Sequence, residues 1–187
     1  MIPRTLFTPE HESFRDTVRR FIETEVTPHH ADWEKAGQVP RSLWKKAGEL
    51  GLLCVNAPEA YGGQGADFLY SAILIEEMAR VGATGPTFYL HSDIVAPYIV
   101  DFGTEAQKTK WLPKMAVGEV VVALGMSEPS GGSDVQNIRT QAIRDGDEYV
   151  INGHKWYTTN ATDPRCKIAI FMGKTAPDAP DRHQQQS

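Results

Sequence analysis

Residues 120–134, Val-Val-Val-Ala-Leu-Gly-Met-Ser-Glu-Pro-Ser-Gly-Gly-Ser-Asp, mark the change from helix to strand along this chain. The β-branched residues at the start of this stretch predict a short strand. The adjacent Gly131 and Gly132 predict a loop in which backbone N–H groups can approach a ligand closely and bind an anion. The loop is therefore a candidate site for phosphate or a polar cofactor. The alternative is a wide turn whose Ser and Asp side chains cap their own backbone.

The residues before Gly118 predict helices. Thr8 is a candidate N-cap with Pro9 behind it, and an apolar stripe with helical spacing follows. Thr104 and Gln107 fit a capping box. The predicted helices cover residues 9–26, 40–50, 68–81, 87–101 and 105–117. In the second of them, the residues expected to point inward are Leu43, Trp44, Ala47 and Leu50. Pro97 and Pro113 predict a kink or a break in the last two.

The residues after Gly118 predict strands. The pairs Asp145-Gly146 and Asn152-Gly153 are typical of hairpin turns, because glycine beside Asn or Asp supplies positive φ. The predicted strands are residues 120–126, 138–144, 149–151, 154–159 and 167–172, followed by a polar loop or tail over residues 175–187. Helices followed by strands indicate an α+β fold. We expect a helical domain over residues 1–119 and part of an antiparallel β domain over residues 120–187.

Residues 152–160, Asn-Gly-His-Lys-Trp-Tyr-Thr-Thr-Asn, form a second candidate site. Aromatic rings beside hydroxyl groups suit a flat ligand with polar edges. An ordinary strand rich in aromatic residues is the alternative. Glu128, in the first candidate loop, could serve as a general base, although a carboxylate beside proline in a turn is more often structural.

Composition excludes several classes of protein. The 187 residues carry 19 basic and 24 acidic side chains, a net charge of −5, which argues against a nucleic-acid-binding protein. No apolar run approaches the ~20 residues of a membrane helix. The two cysteines, Cys54 and Cys166, form neither a disulfide framework nor a four-ligand metal site, and no metal site is expected. We expect a cytoplasmic protein.

Four motifs, in this order, resemble the acyl-CoA dehydrogenase flavoproteins. Residues 61–65 (Tyr-Gly-Gly-Gln-Gly) and 103–108 (Gly-Thr-Glu-Ala-Gln-Lys) match the helical part of the family. Residues 126–134 resemble its first signature, and residues 151–155 (Ile-Asn-Gly-His-Lys) follow at the family's spacing. Residues 163–170 and 182–187 are most similar to a branch that is fused to kinase-like and phosphatase-like domains in animals.

The resemblance implies a known architecture. Members of the family have an N-terminal helical domain, a middle domain resembling an antiparallel β-barrel and a C-terminal four-helix bundle, and most are homo-oligomers. The likeness covers the first domain and the beginning of the second. A few short strands rarely bury both faces of a sheet. We therefore expect the chain to be incomplete, with the C-terminal bundle absent.

The resemblance also implies flavin contacts. Leu124, Met126 and Ser127 would lie along the isoalloxazine ring of FAD, with Ser127 bonding its pyrimidine side. Ser133 would lie near both the FAD pyrophosphate and the acyl-CoA substrate. Ser130 replaces a common glycine, which puts the positive φ of the loop in doubt.

A second set of contacts comes from the aromatic segment. Tyr157, Thr158 and Thr159 correspond to the family's aromatic-x-Thr segment, whose last hydroxyl bonds flavin N5. Tyr157 stands where many members have Trp. The resemblance leaves open whether Tyr89, His91 and Ile94 line the acyl pocket or belong to the helix core.

The implied activity is α,β-dehydrogenation of acyl-CoA thioesters in fatty acid metabolism, with an electron-transfer flavoprotein as electron acceptor. The catalytic Glu of the family usually belongs to the C-terminal bundle, so no catalytic residue is assigned here, and we expect this chain by itself to be inactive. Two alternatives remain. One is a flavin oxidase or monooxygenase of the same superfamily, and the other is a flavin-free helical interaction module.

Overall fold

A computed structural model describes residues 5–180 and divides the chain into two compact units. The first unit ends at Val121 and the second begins at Val122. Among the described residues, all α-helices lie in the first unit and all strands follow Val120. The predicted α+β fold is therefore confirmed. The last part of the predicted tail, residues 181–187, and the motif residues 182–187 lie outside the described residues.

The helical unit contains six α-helices among its described residues. Their bounds are α1 (Pro9–Phe21), α2 (His30–Ala36), α3 (Arg41–Glu49), α4 (Phe68–Arg80), α5 (Ala96–Phe102) and α6 (Glu105–Ala116). A π-helical turn, Ile22–Val26, follows α1, and another, Leu90–Val95, precedes α5. The sequence pattern does not predict helix α2, because the helix packs the partly buried Trp33 against the core but has no fully buried side chain and no apolar stripe.

Two predicted helix caps are confirmed. The Thr8 hydroxyl accepts a hydrogen bond from the His11 backbone N–H, and the His11 side chain accepts one from the Thr8 N–H. Thr104 and Gln107 form the same reciprocal pair at the start of α6. Pro113 lies inside α6 without ending it.

The core of the helical unit forms around α3. Leu43, Trp44 and Ala47 are buried there as predicted. Leu50 is 51% exposed, contrary to the prediction, because α3 ends at Glu49 and the chain turns away from the apolar face. A larger group packs with them and is almost fully buried: Phe21, Ile22, Leu52, Leu53, Ile73, Leu74 and Phe88.

Charged groups join α1 to α4. Glu77 on α4 accepts hydrogen bonds from Arg15 (3.1 Å) and Arg19 (2.9 Å) on α1, and from Arg80 one turn further along α4. Burial by itself would raise the pKa of Glu77, but the bonds from Arg19 and Arg15 outweigh it and hold the pKa at about 2. The carboxylate therefore stays ionised and cross-links the two helices.

The second unit consists mainly of short strands. They are β1 (Val121–Gly125), β2 (Gln141–Asp145), β3 (Glu148–Asn152) and β4 (Cys166–Phe171). Strand β1 pairs with β4, and β2 pairs antiparallel with β3 through the turn at Gly146. Every residue of β3 is exposed. The strand predicted over residues 154–159 is wrong, since that segment is irregular.

Candidate functional site

The two candidate stretches of the sequence lie side by side in the second unit. Strand β1 ends at Gly125 and leads into the loop of residues 126–134. The Ser127 carbonyl accepts a hydrogen bond from the Trp156 backbone N–H at 2.9 Å, which joins the loop to residues 152–160. This hydrogen bond joins backbone groups that are 29 positions apart in the chain.

A buried ion pair lies beneath this junction. Lys155 Nζ donates to Glu128 Oε1 at 2.9 Å and to the Met126 carbonyl at 3.0 Å. The side chains of Lys155 and Glu128 are 8% and 4% exposed. The same carboxylate accepts bonds from the backbone N–H groups of Arg139 (2.7 Å) and Thr140 (3.0 Å). Glu128 is therefore surrounded by donors on both oxygens.

These donors decide the chemistry of Glu128. Burial by itself would raise its pKa, but the hydrogen bonds from Lys155, Thr140 and Arg139 hold the pKa at about 2. A carboxylate with so low a pKa and both oxygens bonded is a poor proton acceptor near neutral pH. The structure thus favours a structural role for Glu128 over the role of general base.

The loop after Glu128 is closed by backbone bonds and open on its outer side. Glu128 and Gly131 exchange two backbone hydrogen bonds of 3.0 Å each. Ser130, Gly131 and Gly132 all have ordinary φ values, so the doubt about Ser130 was unfounded. A Cβ atom placed on Gly132 would meet no atom within 4 Å among the described residues. The backbone at Gly132 is accessible to a ligand.

Positive φ values explain why residues 154–159 form no strand. Tyr157 (φ 53°) and Asn160 (φ 68°) are both in the left-handed region, which turns the backbone out of a β ladder. The Asn160 side chain donates to the Val122 carbonyl at 3.1 Å and ties this turn to β1. Backbone strain of this kind is common at functional sites.

The same turn displays a flat aromatic surface. The rings of Trp156 and Tyr157 stack with their centroids 5.1 Å apart and their planes 15° apart. Tyr157 is 81% exposed and Trp156 is 49% exposed. Large aromatic side chains left in solvent are typical of a surface that meets a ligand or another chain.

The hydroxyl groups predicted to contact flavin lie in this region. Ser127 and Thr158 are half-buried, Ser133 and Thr159 are exposed, and none of the four side chains hydrogen-bonds another group within residues 5–180. Leu124 and Met126 are half-buried at the end of β1. The structure brings the two predicted segments together, and the individual flavin contacts stay predictions.

Sequence reasoning missed the residues that hold the segments in place. Lys155, Trp156 and Asn160 join residues 152–160 to β1 and its loop, but none was assigned a role. The sequence shows only that Lys155 lies between two turns. That position does not show which groups its side chain contacts. His91 has no place at this site, because it is fully buried in the helix core against Trp44.

Residues 5–180 were found to contain neither a metal cluster nor a membrane-spanning helix. No group of three or more His, Cys, Asp or Glu side chains is placed to hold a metal ion there. None of the helices in that range has both the length and the apolar character needed to cross a bilayer.

Comparison with known proteins gives a consistent result. Residues 8–119 match the N-terminal domain of the acyl-CoA dehydrogenases, and residues 123–187 match their middle domain. The long-chain specific acyl-CoA dehydrogenase of Sus scrofa is 50% identical over 157 residues, which are 84% of this chain and 36% of that protein. The isovaleryl-CoA dehydrogenase of Bos taurus is 40% identical over 169 residues, which are 89% of this chain and 39% of that protein.

Solved structures agree. The acyl-CoA dehydrogenase of Geobacillus kaustophilus is 45% identical and superposes with a TM-score of 0.92 over 99% of this chain and 48% of that chain. The acyl-CoA dehydrogenase of Bacillus anthracis, solved in complex with FAD, is 35% identical with a TM-score of 0.80 over 93% of this chain and 30% of that chain. This chain spans less than half the length of each of these relatives.

Proposed function

The chain belongs to the acyl-CoA dehydrogenase family, and from this premise we propose that its second unit contributes part of an FAD site for the dehydrogenation of acyl-CoA thioesters. The observation that carries the proposal is the junction of residues 126–134 with residues 152–160. FAD, when bound, supplies the redox chemistry by accepting a hydride. The protein supplies position and hydrogen bonds.

The residues present fit such a group. Ser127 and Thr159 offer hydroxyl donors without a partner among the described residues, and Tyr157 offers an exposed ring. In our proposal Leu124, Met126 and Ser127 follow the ring system, and Thr158 and Thr159 lie at its reactive edge. Ser133, on the open part of the loop, faces the pyrophosphate and the acyl-CoA. The FAD complex of the Bacillus anthracis relative supports this choice of cofactor.

We assign no catalytic base to these residues. The carboxylate within the loop, Glu128, already accepts bonds from Lys155 and from two backbone amides. We therefore propose that the chain by itself binds flavin without dehydrogenating acyl-CoA. An electron-transfer flavoprotein as partner, a homo-oligomeric state and a cytoplasmic location belong to the same proposal.

Titration of the purified chain with FAD, followed by flavin absorbance and fluorescence, tests the proposal. We expect saturable binding, and we expect Thr159→Ala to weaken it because a flavin hydrogen bond is lost. Thr162→Ala is the matched control, since Thr162 is an exposed threonine three positions along the same turn. A folded chain that does not bind FAD would overturn the proposed half-site.

A further inference from the structure

The side chain of Lys155 is enclosed by the loop of residues 126–134, which lies earlier in the chain. Its stem packs on Gly125, where a Cβ atom would lie 3.3 Å from Lys155 Cγ. Its ammonium group lies 5.5 Å from the centre of the Phe171 ring and bonds Met126 and Glu128. The charge is thus held by one carbonyl, one carboxylate and one aromatic face, with almost no contact with solvent.

We infer that Lys155 and Glu128 are positioning residues that set the flavin site without touching the flavin. This inference rests on the proposed FAD function. The Glu128 carboxylate binds the backbone amides of residues 139 and 140. It also binds Lys155, which in turn binds the Met126 carbonyl. The pair therefore fixes the distance between the loop bearing Ser127 and the turn bearing Thr159.

Lys155 also acts electronically through one peptide group. The Met126 carbonyl, which accepts from the ammonium, belongs to the same peptide as the Ser127 N–H. A hydrogen bond to the carbonyl polarises the peptide and strengthens its N–H as a donor. The Ser127 N–H has no acceptor among residues 5–180, so it remains available to a ligand. A stronger donor there would stabilise negative charge on the pyrimidine side of reduced flavin.

A purely stabilising role explains the pair less well. Removing two charges from water costs nearly as much as their attraction returns, and apolar residues often replace such pairs without loss. A pair kept only for stability could act anywhere in the fold. Lys155 of this pair instead bonds the Met126 carbonyl, next to Ser127. It also directly precedes Trp156, whose backbone amide bonds the Ser127 carbonyl.

The first test compares two lysines. Lys155→Met preserves the length of the side chain and removes the charge. Lys167→Met is the control, because Lys167 in the same unit also donates to a backbone carbonyl, that of Pro164, but in an exposed position. We expect Lys155→Met to weaken FAD binding about tenfold, the lower end of the effect of supporting partners at metal sites. We also expect a more negative flavin midpoint potential, with both quantities unchanged in Lys167→Met.

A double variant separates positioning from stability. Lys155→Met alone leaves the Glu128 carboxylate buried without its cation, which is destabilising. Adding Glu128→Gln removes that unpaired charge, so the unfolding midpoint should recover. The Met126 carbonyl still lacks its donor, so the shifted flavin potential should persist. Recovery of both quantities in the double variant would show that the pair is only structural and would overturn the inference.

Amide hydrogen exchange tests the positioning without flavin. In the apo chain, we expect Lys155→Met to lower the protection of the Trp156 amide about tenfold, because its bond to Ser127 opens more often. Lys167→Met should leave this amide unchanged. If the parent chain fails to bind FAD, the proposed function fails, but this exchange result still decides the positioning role. Unchanged exchange at Trp156 would overturn it.

Discussion

Two buried carboxylates, one in each unit, show how differently the two regions use charge. Glu77 joins α1 to α4 and is bonded by side chains from three arginines. Glu128 joins a loop to its neighbours and is bonded by Lys155 and two backbone amides. Both have a pKa of about 2. Their side chains are equally buried, at 4% exposure.

The difference lies in what surrounds each carboxylate. Around Glu77 the side chains of two helices are committed to one another, so the cluster has a structural explanation that is complete within the unit. Around Glu128 two of the three donors are backbone amides, and the hydroxyls of Ser127 and Thr159 in the same unit are left without partners in the described chain. In the second unit the ion pair fixes the shape of a loop, and nearby hydroxyl donors have no partner within the described chain. Such an arrangement is suited to binding a ligand.

The largest expected loss of stability comes from removing the Glu77 carboxylate of the helical unit. Glu77→Met leaves the buried Arg15 and its neighbour Arg19 without their shared carboxylate. Arg15 keeps its bonds to Glu76 and Glu12, but the charged hydrogen bonds of Arg15, Arg19 and Arg80 to Glu77 are lost. We therefore expect the free energy of unfolding to fall by about 3 kcal/mol. Urea denaturation followed by circular dichroism measures it.

Asp16→Asn is the control for that variant. Asp16 also lies near Arg19, at 3.9 Å, but its side chain is 73% exposed. Exposed ion pairs contribute little, so we expect a change of less than about 1 kcal/mol. Equal losses in the two variants would contradict the cross-linking role of Glu77.

The next prediction concerns how stability depends on pH, through the buried His91 of the helical unit. Burial lowers the pKa of His91 to about 4, against an ordinary value of 6.5, although its bond to the Met115 carbonyl opposes this. Between these values the unfolded chain binds a proton that the folded chain does not. Stability should therefore decrease by roughly 3 kcal/mol as the pH falls from 6.5 to 4. The two carboxylates lose their contribution only below 4.5.

His91→Gln tests this assignment. Gln has an amide that can donate to the same carbonyl but does not titrate, so the slope between pH 6.5 and 4 should largely disappear. Urea midpoints measured across that range give the slope for each protein. A slope that is the same in His91→Gln and the parent chain would assign the acid sensitivity to other groups.

Two glycines sharpen the contrast between close packing and open surface. Gly63 lies in the helical unit, and a Cβ atom there would lie 2.0 Å from the Ala57 carbonyl oxygen. We expect Gly63→Ala to destabilise the chain by about 2 kcal/mol, because backbone must move to make room. Thermal unfolding measures the loss, and an unchanged melting temperature would contradict the close approach.

The smallest effect is expected at Gly132. A Cβ atom there meets nothing within 4 Å of the described structure, and φ is ordinary. We expect Gly132→Ala to change the free energy of unfolding by less than about 0.5 kcal/mol. Any weakening of FAD binding in this variant would then report contact with the ligand. A large loss of stability would show that the loop is packed rather than open.

Local signals in the sequence predicted most of the fold. The caps at Thr8 and Thr104 and the hairpin turn at Gly146 depend on neighbouring residues alone, and each is present in the structure. Helix α2 and the turn at Tyr157 were missed for opposite reasons. The helix has no row of fully buried side chains to produce a periodic pattern. The turn has a β-like sequence, but its backbone enters the left-handed region at Tyr157.

The sequence by itself determined the helix–strand order, the family and the two segments proposed to bind flavin, because short motifs carry that information residue by residue. Only the tertiary structure decided that Lys155 reaches Met126 and Glu128, and that Trp156 bonds Ser127. These contacts join residues separated by 27 to 29 positions. No local pattern encodes such a contact, since it depends on where the intervening strands β2 and β3 return the chain.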